Sequence, residues 1–121
     1  MDLTSLRDFC LSLPHATENV QWGEDLVFKV AGKMFTVVGL DSVPNTVSFK
    51  CTPEEFAELV EREGMMPARY AARYHWVTVM RSDALERAEI RTLIRKSYDL
   101  VWAKLSRKAR EELTQGSVGK K

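Results

Sequence analysis

The stretch LVFKVAGKMFTVVGL, Leu26–Leu40, sets two apolar runs on either side of Ala31-Gly32-Lys33. Leu26–Val30 alternates with the period of a half-buried strand. Met34–Leu40 is rich in the β-branched and aromatic residues that suit a pleated surface. A short Gly-containing turn between two such runs reads as a β-hairpin. Asp41–Asn45 (DSVPN) then supplies Asp, Pro and Asn turn chemistry, and Thr46–Cys51 (TVSFKC) alternates as a third strand. The three runs read as an antiparallel meander.

Beyond the meander, Thr52-Pro53-Glu54-Glu55 is a helix start. The Thr52 hydroxyl can accept from the backbone N–H three residues on, Pro53 suits the first helical position, and Glu55 can reach back to close a capping box. Phe56, Leu59 and Val60 give that helix its buried face, and Gly64 is expected to end it. Gly64–Tyr74, with Pro67 inside it, reads as irregular, and Trp76–Met80 (WVTVM) as a strand. The spacing predicts the longest helix over about residues 83–105, where Ile90, Leu93, Ile94, Ser97, Val101 and Leu105 fall within about 120° of one another. Ser106 can cap a short last helix through Leu113. On the N-terminal side, Leu3, Leu6, Cys10 and Leu13 share one face of a helix over about residues 4–13 that Pro14 stops. The expected order is α-β-β-β-α-β-α-α. That is an α+β fold, an antiparallel sheet with helices packed mainly on one face.

The chain of 121 residues, 45% apolar and 29% charged, suits one ordinary domain. The expected organisation is a single domain over 1–113 followed by a disordered tail over 114–121 (TQGSVGKK). No run of apolar residues approaches a membrane span, and MDLTSLRDFC has no basic leader, so no membrane partner is expected and the cytoplasm is the expected compartment. Cys10 and Cys51 sit in apolar contexts and read as buried free thiols of a reduced compartment. Net charge is only +1, yet its distribution is uneven. Residues 1–66 hold 5 Lys and Arg against 11 Asp and Glu, net −6, and residues 67–121 hold 13 against 6, net +7. A polyanion would therefore meet mainly the C-terminal half.

Enzyme chemistry has no positive signal. His15 and His75, the two histidines, have no Cys, His, Asp or Glu at zinc-ligand spacing. There is no GxSxG, no Cys/His signature and no Gly-rich phosphate loop. No catalytic residue, metal or cofactor is expected. Glu54, Glu55, Glu58, Glu61 and Glu63 read as the solvated face of a helix.

The basic signal carries more. On the long helix Arg91 and Arg95 lie four apart, with Arg87 a turn earlier and Tyr98 and Trp102 between and beside them. Guanidinium groups interleaved with aromatics suit phosphate contact with base stacking. The same residues also read as an Arg95–Asp99 pair with Tyr98 and Trp102 wedged at the core margin. Period-2 alternation further sets Ser48 and Lys50 on one side of the third strand, and Tyr74, Trp76 and Thr78 on one side of the next. That face could hold a ligand or a nucleic-acid strand, or be a solvated or dimer surface. For nucleic acid, the expected phosphate contacts are Lys33, Lys50, Arg69, Arg73, Arg91 and Arg95, with Trp76, Tyr98 and Trp102 as stacking candidates. The chain is expected to act as a monomer.

From Leu3 to Leu113 the sequence resembles the MmcQ/YjbR family of small bacterial proteins. The matching series runs through Leu13-Pro14 with Thr17-Glu18, Val27–Val30 with Gly32–Phe35, and Val47–Cys51. It continues with Pro67–Tyr70, His75–Val77, Ser97–Val101 and Leu105. The resemblance implies a compact α+β fold with a likeness to secretion chaperones and frataxin-like sheets. It also implies DNA binding, through hairpins that project as a double wing. At the wing tips this chain carries Gly32-Lys33 and the acidic, Pro-containing Asp41–Asn45. The alternatives are a protein-interaction module that uses an open sheet face and a small-ligand or enzymatic pocket between sheet and long helix.

Overall fold

Ala31 and Gly32 both take positive φ, 51° and 76°, the backbone of a two-residue hairpin turn whose twist matches the strands it joins. It closes β2 (Asp25–Val30) onto β3 (Lys33–Gly39), with Val30 opposite Lys33. A bulge between Phe28 and Lys29 leaves Phe35 between the paired residues Met34 and Thr36, and Phe35 is wholly buried. The third expected strand is β4 (Thr46–Lys50), antiparallel to β3. This hairpin and its neighbour form the centre of the computed structural model, which describes residues 2–81 and 83–119.

Two strands were not legible in the sequence. The first, β1 (Ala16–Gln21, ATENVQ), pairs along its whole length with β2 from the turn at Trp22 and Gly23. It is polar because it is an edge strand, so it shows no apolar alternation. The second, β5 (Met65–Pro67), lies inside the stretch expected to be irregular and pairs with β6 (Trp76–Val79). Pro67, which cannot donate to a ladder, is tolerated there because β5 is the opposite edge. The six-stranded sheet is antiparallel throughout, in the order β1-β2-β3-β4-β6-β5.

Helix α1 (Leu3–Ser12) is capped by Asp2, whose carboxylate accepts from Ser5 N–H at 2.7 Å. Helix α2 (Pro53–Leu59) has the full capping box. Glu55 N–H donates to Thr52 Oγ1 at 3.2 Å, and Thr52 N–H to Glu55 Oε1 at 3.1 Å. The helix ends at Leu59, not at Gly64. Gly64, at φ +85°, instead turns the chain into β5, where a Cβ would stand 2.9 Å from that of Ala84. Helix α3 spans Arg87–Lys104, four residues shorter at its start than expected. Leu85 is buried ahead of it, and Glu86 is already extended, at φ −76° and ψ 157°. Helix α4 (Arg107–Gly119) is capped by Ser106 Oγ, which accepts from Ala109 N–H at 3.0 Å. It runs into the stretch expected as a tail; Lys120 and Lys121 lie outside the described residues.

One apolar cluster holds these elements together. Leu26, Phe28, Val38, Val47, Phe49, Val77 and Val79 from one face of the sheet meet Leu6 and Cys10 of α1, Leu59 of α2, and Ile90, Leu93, Ile94 and Val101 of α3. The expected stripe on α3 is buried in full, and Tyr98 joins it. The fold is α+β, as the sequence predicts. Among the described residues no helix is long and apolar enough to cross a membrane.

Candidate functional site

The site is set by where strands end. Antiparallel pairing puts the Val30–Lys33 turn, the last residue of β4 (Lys50) and the first of β6 (Trp76, opposite Lys50) at the same end of the sheet. The connection from β5 to β6, residues 68–75, emerges there too, carrying Arg69 and Arg73. Adjacent strands are about 4.8 Å apart, so Lys33, Lys50, Arg69 and Arg73 share one end of the molecule. Among the described residues none of the four is in an ion pair. Lys104, in the last turn of α3, also reaches Lys50. Burial and then the Lys104 charge push the Lys50 ammonium below its ordinary range. Lys104 was absent from the sequence-based candidates; its spacing of seven from Ser97, two turns on the same helix face, was the available signal.

Ser97 fixes this end of the sheet. Its buried hydroxyl donates to Phe35 O at 2.7 Å and accepts from Lys50 N–H at 2.9 Å. One side chain of α3 thus bridges β3 and β4 where their own ladder stops. The opposite end of the sheet is acidic. Glu24, Asp25 and Asp41 stand at its turns, and burial together with the Asp41 charge pushes the Asp25 carboxyl up. The molecule is therefore polarised along its strands, although Glu54, exposed in the first turn of α2, dilutes the basic end, and Arg62 and Arg81, both in ion pairs, stand at the acidic one.

The connection 68–75 is built, not slack. Ala68 is buried, its N–H donates to Trp76 O at 3.0 Å, and residues Ala72–Tyr74 form a single 3₁₀ turn. The alternation expected through Tyr74, Trp76 and Thr78 breaks here, because His75 is left-handed at φ 65°. Tyr74 lies outside the strand and carries the Arg73 guanidinium 4.8 Å from its ring centre. Ser48 and Thr78 do face each other, with hydroxyls 2.8 Å apart.

On α3 the expected Arg/aromatic face is divided. Arg95 pairs with Asp99 at 3.2 Å and lies over the Tyr98 ring. Arg91 is exposed and stands in the helix layer, apart from the basic end. The three stacking candidates are corrected. Tyr98 is buried, edge-on to Phe35 at 5.3 Å, and its hydroxyl donates to Pro14 O at 2.6 Å. Trp102 stacks with both Tyr98 and His15, and Trp76 is buried. Tyr98 and Trp76 are thus closed to a base, and Trp102, partly buried, has its ring engaged by Tyr98 and His15. Two rings are exposed instead: Tyr74 at 52%, expected on the strand face but standing in the loop before it, and Tyr70 at 94%, which is not among the sequence-based candidates.

Other chemistry is sparse. Cys10 and Cys51 are buried free thiols, pushed up to about 12 and about 11 by burial, which removes thiolate character. His15 packs on Trp102, and His75 meets Phe56 edge-on at 5.6 Å. Among the described residues no three His, Cys, Asp or Glu side chains gather as metal ligands. Two surface clefts are open and charged, one lined by Arg107, Arg110, Glu111 and Thr114, the other by Arg62, Glu63, Arg81, Asp83 and Ala84.

The family model described as YjbR matches residues 11–100, from the end of α1 to within four residues of the end of α3. The chain belongs to the YjbR family. Uncharacterized protein YjbR of Escherichia coli, from strains K12 and O157:H7, is 29% identical over 119 residues, 95% of this chain and 99% of the relative. The crystal structure of Deinococcus radiodurans protein DR2400, with domain DUF419, superposes with a TM-score of 0.84 at 31% identity, covering 93% of this chain and 87% of that one. A Pseudomonas syringae protein shares the fold, with a TM-score of 0.69 at 22% identity over 83% of this chain and 98% of that one. The YjbR match takes in Lys33, Lys50, Arg69, Arg73, Arg91 and Arg95, and stops short of Lys104.

Proposed function

We infer that this YjbR protein is a non-enzymatic, DNA-binding protein acting in the cytoplasm as a monomer, and that its contact surface is the basic end of the sheet. The observation that carries the reading is the convergence of Lys33, Lys50, Arg69 and Arg73 on that end, with Glu24, Asp25 and Asp41 at the other. Such a dipole orients the molecule on a polyanion: the basic end approaches and the acidic end is repelled. Ammonium and guanidinium groups there contact phosphates and read no sequence, so affinity is expected to be similar for all sequences. Four phosphate contacts give a slope of about −3 to −4 for log K against log salt. A fluorescence-anisotropy titration of labelled duplex at several salt concentrations measures it. Absence of wild-type binding at about 50 mM salt, where non-specific attraction is strong, would remove the reading.

The second reading is a protein-interaction module. It is favoured by the apolar side chains exposed at the acidic end, Trp22 at 66% and Val43 at 100% exposure. Exposed apolar side chains beside acidic groups suit a partner segment that is apolar and basic.

A further inference from the structure

Tyr70 is almost wholly exposed and sits at φ 67°, a left-handed backbone that a bulky L residue adopts only at a cost. The turn that Ala71 N–H closes onto Ala68 O at 3.3 Å, with Arg69 and Tyr70 at its two central positions, sets that backbone and holds the ring out from the protein. Four residues later Tyr74 is half exposed, with Arg73 against its ring. Between Gly64 and Met80 the sequence has no Asp or Glu. Two exposed rings and two guanidinium groups, Arg69 and Arg73, that form no ion pair among the described residues thus stand on one short, hydrogen-bonded ridge.

We propose that the 68–75 ridge binds single-stranded nucleic acid, with Tyr70 and Tyr74 as base-stacking platforms and Arg69 and Arg73 on the flanking phosphates. The proposal rests on the nucleic-acid reading above and names the substrate class for that surface. Inside a duplex both faces of each base are covered by neighbouring bases, so an exposed tyrosine gains nothing there; an unpaired base offers its face. The ridge also lacks the means to read a duplex. Its only helical turn is three residues long, far short of the helix or two-stranded ribbon that fills a major groove. Stacking and phosphate contact both tolerate any sequence, so the preference is for strandedness.

The test compares a labelled oligothymidine of about twenty nucleotides with a duplex of the same length by anisotropy at fixed salt. The wild type is expected to bind the single strand at least about tenfold more tightly. Tyr70→Ala/Tyr74→Ala should weaken single-strand binding by about 30-fold or more and leave duplex binding within about twofold, while Tyr70→Phe/Tyr74→Phe keeps the single-strand affinity because the ring does the stacking. Both side chains are exposed, so an unchanged melting temperature confirms that the variants are folded. Equal affinity for the two forms, or full single-strand affinity in the alanine variant, overturns this proposal and leaves the nucleic-acid reading in place. No binding of either form by the wild type overturns both.

Discussion

Ser97 and Thr52 show how single hydroxyls fix this fold. Thr52 was legible because a capping box is a local pattern, and both of its reciprocal bonds are present. Thr52→Ala should cost about 1 kcal/mol, read as a shift of the urea midpoint with unchanged slope. Ser97 was legible only as a member of an apolar stripe. Its two partners, Phe35 and Lys50, lie 62 and 47 residues away, a separation that no periodicity encodes. Ser97→Ala would remove the hydroxyl partner of the buried Phe35 C=O and of the part-buried Lys50 N–H, and a loss of about 1–3 kcal/mol is expected in the same assay. The buried cysteines set a pH limit. With thiols pushed to about 12 and about 11 from an ordinary 9.0, the folded state keeps protons that the unfolded chain loses above pH 9. Stability from this source is complete below that pH and falls as pH rises towards the folded values. Thermal melts from pH 8 to 11 should fall more steeply for the wild type than for Cys10→Ala/Cys51→Ala; parallel slopes would show that the thiols are not the cause.

The elements divide by how much of their signal is local. The hairpin β2–β3, strand β4 and helix α3 carry their own periodicity, and each stands within a few residues of its expected bounds. Strands β1 and β5 do not, because edge strands bury little and are defined by the neighbour they pair with. The same logic explains the failed stacking candidates. Tyr98 and Trp102 lie at helical spacing from Arg91 and Arg95, but a helical wheel does not say which flank meets α1, and Pro14 and His15 close over them. Tyr70 is not legible as a candidate because a loop has no period to read, and Tyr74 is legible only as a strand residue, which it is not. Since α3 lies across β2, β3 and β4 with Leu93 buried beneath it, Leu93→Ala should cost about 2–5 kcal/mol. A measured loss below about 0.5 kcal/mol would mean that α3 is peripheral to the core.

Over the whole molecule, the change from acidic to basic composition along the chain becomes a spatial polarity along the strands. The sequence halves foretold the sign, but the axis follows from register. Lys33 and Lys50 come from the acidic half of the chain, yet stand with Arg69 and Arg73 because antiparallel strands end where their neighbours begin. The arginines of α3 were candidates of equal standing in the sequence. Arg95 is now paired with Asp99, so within the Arg91/Arg95 pair Arg91 is left to release counterions. The most direct test is the salt dependence of oligonucleotide binding for Arg69→Ala/Arg73→Ala beside Arg91→Ala/Arg95→Ala. The first pair should lower the slope of log K against log salt by about two, and the second by about one at most. An unchanged slope for Arg69→Ala/Arg73→Ala, with a loss of about two for the α3 pair, would contradict the basic end as the contact surface and move it to the helix layer.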